Sequence, residues 1–150
     1  MATPGELQRA VASAVLIDNR GCLLLQQRDH RPELPYAGWW TLFGGAVEVG
    51  ETPDAAIRRE LYEELRLHAA VRYWFSYRCP ARSVAGLVET INHIFIAQVA
   101  SEIVTQPLYE GHSMAFFTPQ AALGMRLAYA QEIVIERWVA EGCVLHPRTP

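Results

Sequence analysis

Cysteine is scarce in this chain, and its spacing is not that of a metal site or a disulfide framework. The sequence has three cysteines, Cys22, Cys79 and Cys143, which is an odd number at wide intervals. No Cys-x-x-Cys pair and no cysteine–histidine spacing typical of zinc binding occurs. These features predict reduced thiols in a cytosolic protein.

The sequence also lacks the marks of a secreted or membrane protein. Its first ten residues, MATPGELQRA, contain no apolar core of a signal peptide. No apolar stretch approaches the ~18 residues that a membrane span requires. We therefore expect a cytoplasmic location and no membrane partner.

Positive charge is not in excess. The formal net charge is −3 and the isoelectric point is near 5.9, so no basic face is expected for a nucleic-acid polymer. These values do not exclude a small phosphorylated ligand, because a metal ion can carry the needed positive charge. The length of 150 residues and the 51% hydrophobic content predict one globular domain, 1–150, with frayed termini at about 1–8 and 146–150.

Apolar patterning predicts strands interrupted by helices. The expected strands are 11–18, 22–28, 39–43, 46–49, 71–78, 87–99 and 114–117, with loops at 29–38, 79–86 and 101–111. Helices are expected from Thr52 to about Arg66 or Leu67, at 119–123 and at 129–140. Thr52 suits an N-cap and Pro53 suits the first helical position. This order is typical of an α/β/α sandwich with a mixed sheet.

Acidic side chains concentrate in residues 45–67, GAVEVGETPDAAIRRELYEELRL, which contain six of them. Glu60, Glu63 and Glu64 stand at i, i+3 and i+4, so their carboxylates share one side of the predicted helix. Each pair of like charges destabilises an isolated helix by roughly 0.2–0.5 kcal/mol. A divalent cation would relieve this repulsion, and Mg²⁺ binds carboxylates together with substrate phosphates. A solvated acidic face without a metal is the alternative.

The same run resembles the Nudix box, whose pattern is Gly, five residues, Glu, seven residues, then Arg-Glu-U-x-Glu-Glu-x-Gly-U with U apolar. The matching positions are Gly45, Glu51, Arg59, Glu60, Leu61, Glu63, Glu64 and Leu67. Arg66 stands where the family has glycine, and Phe43 stands where the usual entrance to the box has proline. Because that glycine ends the helix with a positive φ, Arg66 suggests a different or slightly later helix end.

The resemblance implies an α/β/α sandwich and Mg²⁺- or Mn²⁺-dependent hydrolysis of a nucleoside diphosphate linked to another group. It implies metal ligation by the Gly45 carbonyl, Glu60, Glu63 and Glu64. It also implies that Arg59, together with Glu51, holds a carboxylate in place. Many family members use a further glutamate from a loop as ligand or base. Glu110 precedes the strand 114–117 and is the candidate here, with an ordinary surface glutamate as the alternative.

Candidates for substrate contact lie upstream of the box. Arg28 ends the second predicted strand, and its guanidinium suits phosphate oxygens. Alternation places one of Trp39 and Trp40 outward, where it could stack on a base, although packing of both is the alternative. We name Trp39, and with it Phe43 and Gly44 at the entrance to the box.

The sequence does not select the substrate. A nucleoside triphosphate or a related nucleotide is favoured, because the chain is compact and has no inserted domain. A nucleotide sugar or ADP-ribose hydrolase is the alternative. A nucleotide-binding sensor without activity and a structural module are less favoured, because every glutamate of the box is present. The general base, the number of metals and the oligomeric state stay open, although homodimers are common in this family.

Overall fold

A mixed seven-stranded sheet forms the centre of the molecule, which is seen here in a computed structural model that describes residues 9–83 and 86–142. The strands are β1 (Arg9–Ile17), β2 (Leu23–Gln27), β3 (Trp40–Thr41), β4 (Phe43–Ala46), β5 (Arg72–Ser83), β6 (Gly86–Gln98) and β7 (Ser113–Phe117). The strand order is β3-β2-β1-β6-β5, while β4 pairs with β1 and β7 with β2. Strand β1 runs parallel to β6 and antiparallel to β4.

Helices cover both faces of the sheet. Helix α1 (Pro53–Leu65) packs on one face, and helices α2 (Pro119–Leu123) and α3 (Glu132–Ala140) pack on the other. Alternate residues of β1 supply the two cores, since Ala14 and Leu16 face α1 while Val15 and Ile17 face α2 and α3. The predicted α/β/α sandwich with a mixed sheet is confirmed.

Helix α1 begins as predicted, but its end contradicts the prediction. The Thr52 hydroxyl accepts a hydrogen bond from the Ala55 N–H at 3.1 Å, and Pro53 is the first helical residue. The prediction of a changed or later helix end was wrong. Arg66 adopts the left-handed conformation, with φ 54° and ψ 32°, which is the conformation that glycine usually supplies there. The backbone therefore ends the helix as a glycine would.

The predicted loop at 79–86 was also wrong. Strand β5 continues to Ser83 and β6 begins at Gly86, so the two strands form a long hairpin. Pro80 favours a loop in the sequence, but here it lies opposite Glu89 in a strand at the edge of the sheet. Proline is tolerated at such an edge, because no further strand needs its missing N–H.

Two smaller boundaries differ from the prediction. The strand expected at 46–49 is instead β4, which ends at Ala46, and the chain then turns with the Glu51 N–H donating to the Glu48 carbonyl. The helix expected from residue 129 begins at Glu132. A 3-10 turn precedes it and contains Tyr129 in the left-handed conformation, with φ 57°.

Some predictions fall on residues that the structure does not describe. The termini expected to fray, about 1–8 and 146–150, lie outside the described residues, as does Cys143. Cys22 and Cys79 carry free thiols. Among the described residues, we find no helix with the length and apolar character that a membrane crossing demands. The single-domain organisation of residues 1–150 stays a prediction.

Candidate active site

Three carboxylates from two segments of the chain meet beside the sheet. Glu60 and Glu64 lie one turn apart on α1, and Glu110 comes from the segment between the 3-10 helix Ser101–Thr105 and β7. One oxygen of each carboxylate lies within 4.8 Å of the others. Because the group joins a helix to a distant loop, the spacing of the helix alone does not reveal it.

The segment that carries Glu110, residues 106–112, is called the Glu110 loop below. Backbone hydrogen bonds hold it on two sides. The Tyr109 N–H donates to the Glu64 carbonyl at 3.0 Å, and the His112 N–H donates to the Gln27 carbonyl at 2.8 Å. The first bond ties the loop to α1 and the second ties it to β2. Glu110 is thus placed between two elements of the sandwich.

Glu64 is buried, with 1% of its surface exposed. Its carboxylate accepts hydrogen bonds from Gln26 Nε2 at 2.7 Å and from the Gly44 N–H at 3.3 Å. Burial raises the pKa of Glu64 well above its ordinary value, and the neighbouring charges of Glu60 and Glu110 add to this rise. The pKa of Glu110 is raised in the same way, mainly by burial and to a smaller extent by the charge of Glu60. The group therefore favours a bound positive charge.

Arg59 organises the acidic residues around it. Its guanidinium donates to both oxygens of Glu51, at 2.8 and 2.9 Å, to Glu60 at 2.9 Å and to Glu63 at 3.3 Å. It also donates to the Ala46 carbonyl at 3.0 Å. The bonds from Arg59, together with one from the Glu48 N–H, lower the pKa of Glu51 to about 2, and the bonds to Glu51 and Glu60 raise the pKa of Arg59. Arg59 thereby ties α1 to the end of β4 and restrains the Glu60 carboxylate.

Two glycines allow this close approach between β4 and its neighbours. A Cβ at Gly45 would meet both carboxylate oxygens of Glu60, one of them at 2.8 Å. A Cβ at Gly44 would instead meet the backbone of β1, including Ser13 Cα at 2.6 Å, and Gly44 has φ 150°. Gly45 is therefore required for space at the carboxylates, whereas Gly44 is required for the sheet.

Two clefts adjoin the carboxylates and share Gln26, Arg28 and Gly44. The first, called the loop cleft, has a volume of about 460 Å³ and also contains Glu64, Glu110 and Arg31. The second, called the sheet cleft, has a volume of about 170 Å³ and is lined by both polar and apolar residues. Its lining includes Thr41, Thr90, Tyr129 and Gln131. The two clefts together can hold a ligand with one anionic and one aromatic end.

A family model for the NUDIX domain matches residues 7–138 of this chain. This chain belongs to the Nudix family. The resemblance drawn from the box is thus confirmed over most of the sequence.

Nudix relatives match this chain in sequence and in structure over most of its length. The CTP pyrophosphohydrolase of Escherichia coli K12 is 33% identical over 128 residues, which cover 85% of this chain and 89% of that protein. The MutT protein from Methanosarcina mazei Go1 superposes with a TM-score of 0.78 at 21% identity, over 93% of this chain and 99% of that one. The Escherichia coli ORF135 protein has a TM-score of 0.73 at 26% identity, over 99% and 100% of the two chains.

The structure brings together part of the ligand set predicted from the Nudix box. Glu60, Glu64 and the loop residue Glu110 form the three-carboxylate group. Glu63 lies outside that group, with its side chain 46% exposed and bonded to Arg59. Metal ligation by Glu60, Glu63, Glu64 and the Gly45 carbonyl stays a prediction, as does the role of Glu110.

The predicted substrate contacts are only partly placed at the clefts. Arg28 and Gly44 line both clefts. Phe43 does not, which corrects the prediction: its side chain is fully buried in the core beneath α1, because alternation in β4 turns it inward. Trp39 is not among the described residues that line either cleft, and its ring packs against Tyr36, with centroids 5.2 Å apart. Trp40 packs in the opposite core, against Phe117.

The sheet cleft has further lining residues that were not predicted from the sequence: Thr41, Thr90, Tyr129 and Gln131. Gln131 is 2% exposed, and its Oε1 accepts hydrogen bonds from Thr41 Oγ1 at 3.1 Å and the Leu42 N–H at 2.8 Å. Thr90 Oγ1 is buried and has no hydrogen-bond partner among the described residues. Tyr129 reaches the cleft from its left-handed turn. Only the polar Thr90, within an apolar strand, carried a signal in the sequence.

Proposed function

We propose that this Nudix protein hydrolyses a diphosphate bond in a nucleoside triphosphate or a related nucleotide, with Mg²⁺ or Mn²⁺ as cofactor. The observation that carries the proposal is the group of Glu60, Glu64 and Glu110 within 4.8 Å, beside the clefts that contain Arg28. Oxygen ligands of this kind suit Mg²⁺, which usually binds one or two carboxylates and the phosphates of its substrate. Three crowded carboxylates without a cation would repel one another.

In this proposal the phosphates bind in the loop cleft and the base enters the sheet cleft. Arg28 lines both clefts. Its Nε donates a hydrogen bond to the Pro35 carbonyl at 2.9 Å, and its central guanidinium carbon lies 5.5 Å from the centroid of the Tyr129 ring. From this position its positive charge can attract phosphate oxygens, which arginine can bind through two parallel hydrogen bonds. Tyr129, whose ring also packs against Tyr36 with centroids 4.7 Å apart, lines the sheet cleft and supplies aromatic surface for contact with a base. The buried Thr90 hydroxyl and the Gln131 amide can bond to the edge of that base.

The chain's residues contribute position and charge. A bound divalent cation would supply positive charge to the phosphate oxygens, on which negative charge gathers in the transition state. Gln26 and the Gly44 N–H hold the Glu64 carboxylate, and Arg59 holds that of Glu60, so the ligands do not need to rearrange when the substrate binds. Such prior arrangement is the main catalytic contribution that this site offers.

Release of phosphate and pyrophosphate from a nucleotide panel tests the proposal. The panel contains ribo- and deoxynucleoside triphosphates, oxidised dGTP, ADP-ribose, nucleotide sugars and dinucleoside polyphosphates, each with Mg²⁺, Mn²⁺ or EDTA. CTP belongs in it because the Escherichia coli relative is named a CTP pyrophosphohydrolase. We expect pyrophosphate release from a nucleoside triphosphate that EDTA abolishes. Turnover of ADP-ribose or a nucleotide sugar alone would instead support the alternative hydrolases.

A folded protein that cleaves nothing in the panel would contradict the proposal. Binding of the same nucleotides without cleavage would then favour a sensor. Thermal unfolding provides the control for folding, and it also reports the metal, because a cation that binds only the folded state raises the melting temperature. Turnover that persists in EDTA would separate the activity from the three-carboxylate group.

Arg59→Lys tests whether the acidic network positions the ligands. Lysine keeps the charge but cannot bond Glu51 and Glu60 together through a planar fork. We expect Mn²⁺ affinity or turnover to fall roughly 10–100-fold, as for other residues that orient metal ligands. Arg58→Lys is the matched control, because Arg58 pairs with the exposed Asp54 on the same helix. Equal behaviour of the two variants would rule out a positioning role for Arg59.

A further inference from the structure

Arg66 makes contacts that the glycine of the Nudix box cannot make. Its Nη1 donates to the carbonyls of Tyr62 at 2.9 Å and Glu63 at 3.0 Å. These bonds satisfy carbonyls in the last turn of α1. The side chain therefore accompanies a backbone conformation that is unfavourable for any residue with a Cβ. Capping alone accounts for these two bonds.

The same guanidinium also contacts two aromatic rings. Its central carbon is 4.2 Å from the centroid of the Tyr109 ring and 5.2 Å from that of the Tyr62 ring. Tyr62 belongs to α1, whereas Tyr109 belongs to the Glu110 loop. Both distances fall within the range of a cation–π interaction. Capping does not account for the contact with Tyr109, which joins the helix end to the loop.

Tyr109 is placed so that this contact bears on the carboxylates. Its N–H bonds to the carbonyl of Glu64, and the next residue is Glu110. Glu64 and Glu110 are two of the three grouped carboxylates. Contacts that restrain Tyr109 therefore also limit the movement of Glu110. They increase the fraction of molecules in which Glu110 lies close to Glu60 and Glu64.

We propose that Arg66 is a positioning residue, which holds Tyr109 and so keeps Glu110 in the three-carboxylate group. The inference rests on the proposed function, because it assigns Glu110 to the metal. The apparent affinity of a site falls in proportion to the fraction of molecules in which its ligands are in place. An exposed cation–π contact corresponds to a factor of roughly two to five in that fraction.

The test compares Arg66→Gly, Tyr109→Leu and the unchanged protein by calorimetric titration with Mn²⁺ alone. Glycine retains the left-handed helix end and removes the whole arginine side chain. Its easier left-handed conformation offsets the two lost hydrogen bonds, so the melting temperature without metal should change little. We expect each variant to bind Mn²⁺ roughly two- to five-fold more weakly. We also expect faster hydrogen exchange at the Tyr109 amide in metal-free Arg66→Gly. Arg58→Ala removes another arginine of the helix, paired with Asp54, without the cost of glycine in a helix interior, and should leave Mn²⁺ binding unchanged.

A Glu110→Gln background separates positioning from any other effect. If Arg66 acts through Glu110, then Arg66→Gly causes no further loss of Mn²⁺ affinity in that background. An equal loss with and without Glu110, or no loss in the single variant, would overturn the inference. If the unchanged protein binds no Mn²⁺, the proposed metal site fails and the inference fails with it. That case is recognisable, because the variants then have no affinity to lose.

Discussion

Glu64→Gln is expected to abolish nearly all turnover and to leave the fold intact. The substitution keeps the size of a buried side chain and removes the charge that a cation would bind. The amide oxygen can still accept one of the two hydrogen bonds, from Gln26 or from the Gly44 N–H. We expect kcat to fall on the order of 10³-fold, comparable with the loss of a group that stabilises transition-state charge. Steady-state pyrophosphate release measures it.

The control for this variant is Glu136→Gln on the exposed side of α3. It removes the same charge from the protein, so it accounts for any effect of net charge alone. Circular dichroism should show the same spectrum for all three proteins. The Mg²⁺-dependent rise in melting temperature should disappear in Glu64→Gln only. Activity of Glu64→Gln within a few-fold of the parent would refute its assignment as a metal ligand.

Gly45→Ala is expected to have the second-largest effect, for a steric reason. The new methyl group would occupy the space of the Glu60 carboxylate, which Arg59 restrains through a hydrogen bond to one of its oxygens. The carboxylate has to move, and a shift of about 1 Å in a reacting group can reduce the rate about 100-fold. The backbone of Gly45 is compatible with alanine, so we expect a folded protein with little activity. Turnover and melting temperature are the measurements.

Substitutions at two other glycines serve as controls for Gly45→Ala. Gly124→Ala is the matched control, because its Cβ would make only an ordinary contact, at 3.4 Å from the Ala121 carbonyl oxygen. Gly44→Ala should fail to fold, since its Cβ would collide with the backbone of β1. If Gly45→Ala turns over substrate at the parent's rate, the Glu60 carboxylate is not held where we place it. If Gly45→Ala unfolds like Gly44→Ala, steric crowding acts on the sheet instead.

The parts of the fold that local chemistry specifies were predictable. The start of α1 follows from Thr52 and Pro53, and the alternation in β1 follows from burial on both faces. The spacing within the Nudix box is enough to place Glu60 and Glu64 on one side of a helix. These features depend on residues close together in the chain, so their patterns are visible in the sequence.

The rest depends on contacts between distant segments. Pro80 suggests a loop until the edge position of β5 is known. Phe43 looks available at the entrance to the box until β4 is seen to turn it into the core. The sheet cleft was missed because Tyr129 and Gln131 fall in a stretch whose pattern predicts helix, and only the left-handed turn places Tyr129 there. Helical spacing puts Glu64, seven residues after Ile57, at the edge of the apolar stripe. Its full burial depends on Gln26 and Gly44, which are distant in the sequence, whereas Glu63 is half exposed.

The left-handed end of α1 has a consequence for how this sequence can drift. Every arginine codon becomes a glycine codon by a single base change, and the backbone at Arg66 already has the shape that glycine prefers. Mutation to the common family residue therefore meets no conformational barrier. What opposes it is the side chain's own contacts with Tyr62, Glu63 and Tyr109. A lineage that loses Tyr109 would be expected to lose Arg66 soon afterwards, and the two positions should change together.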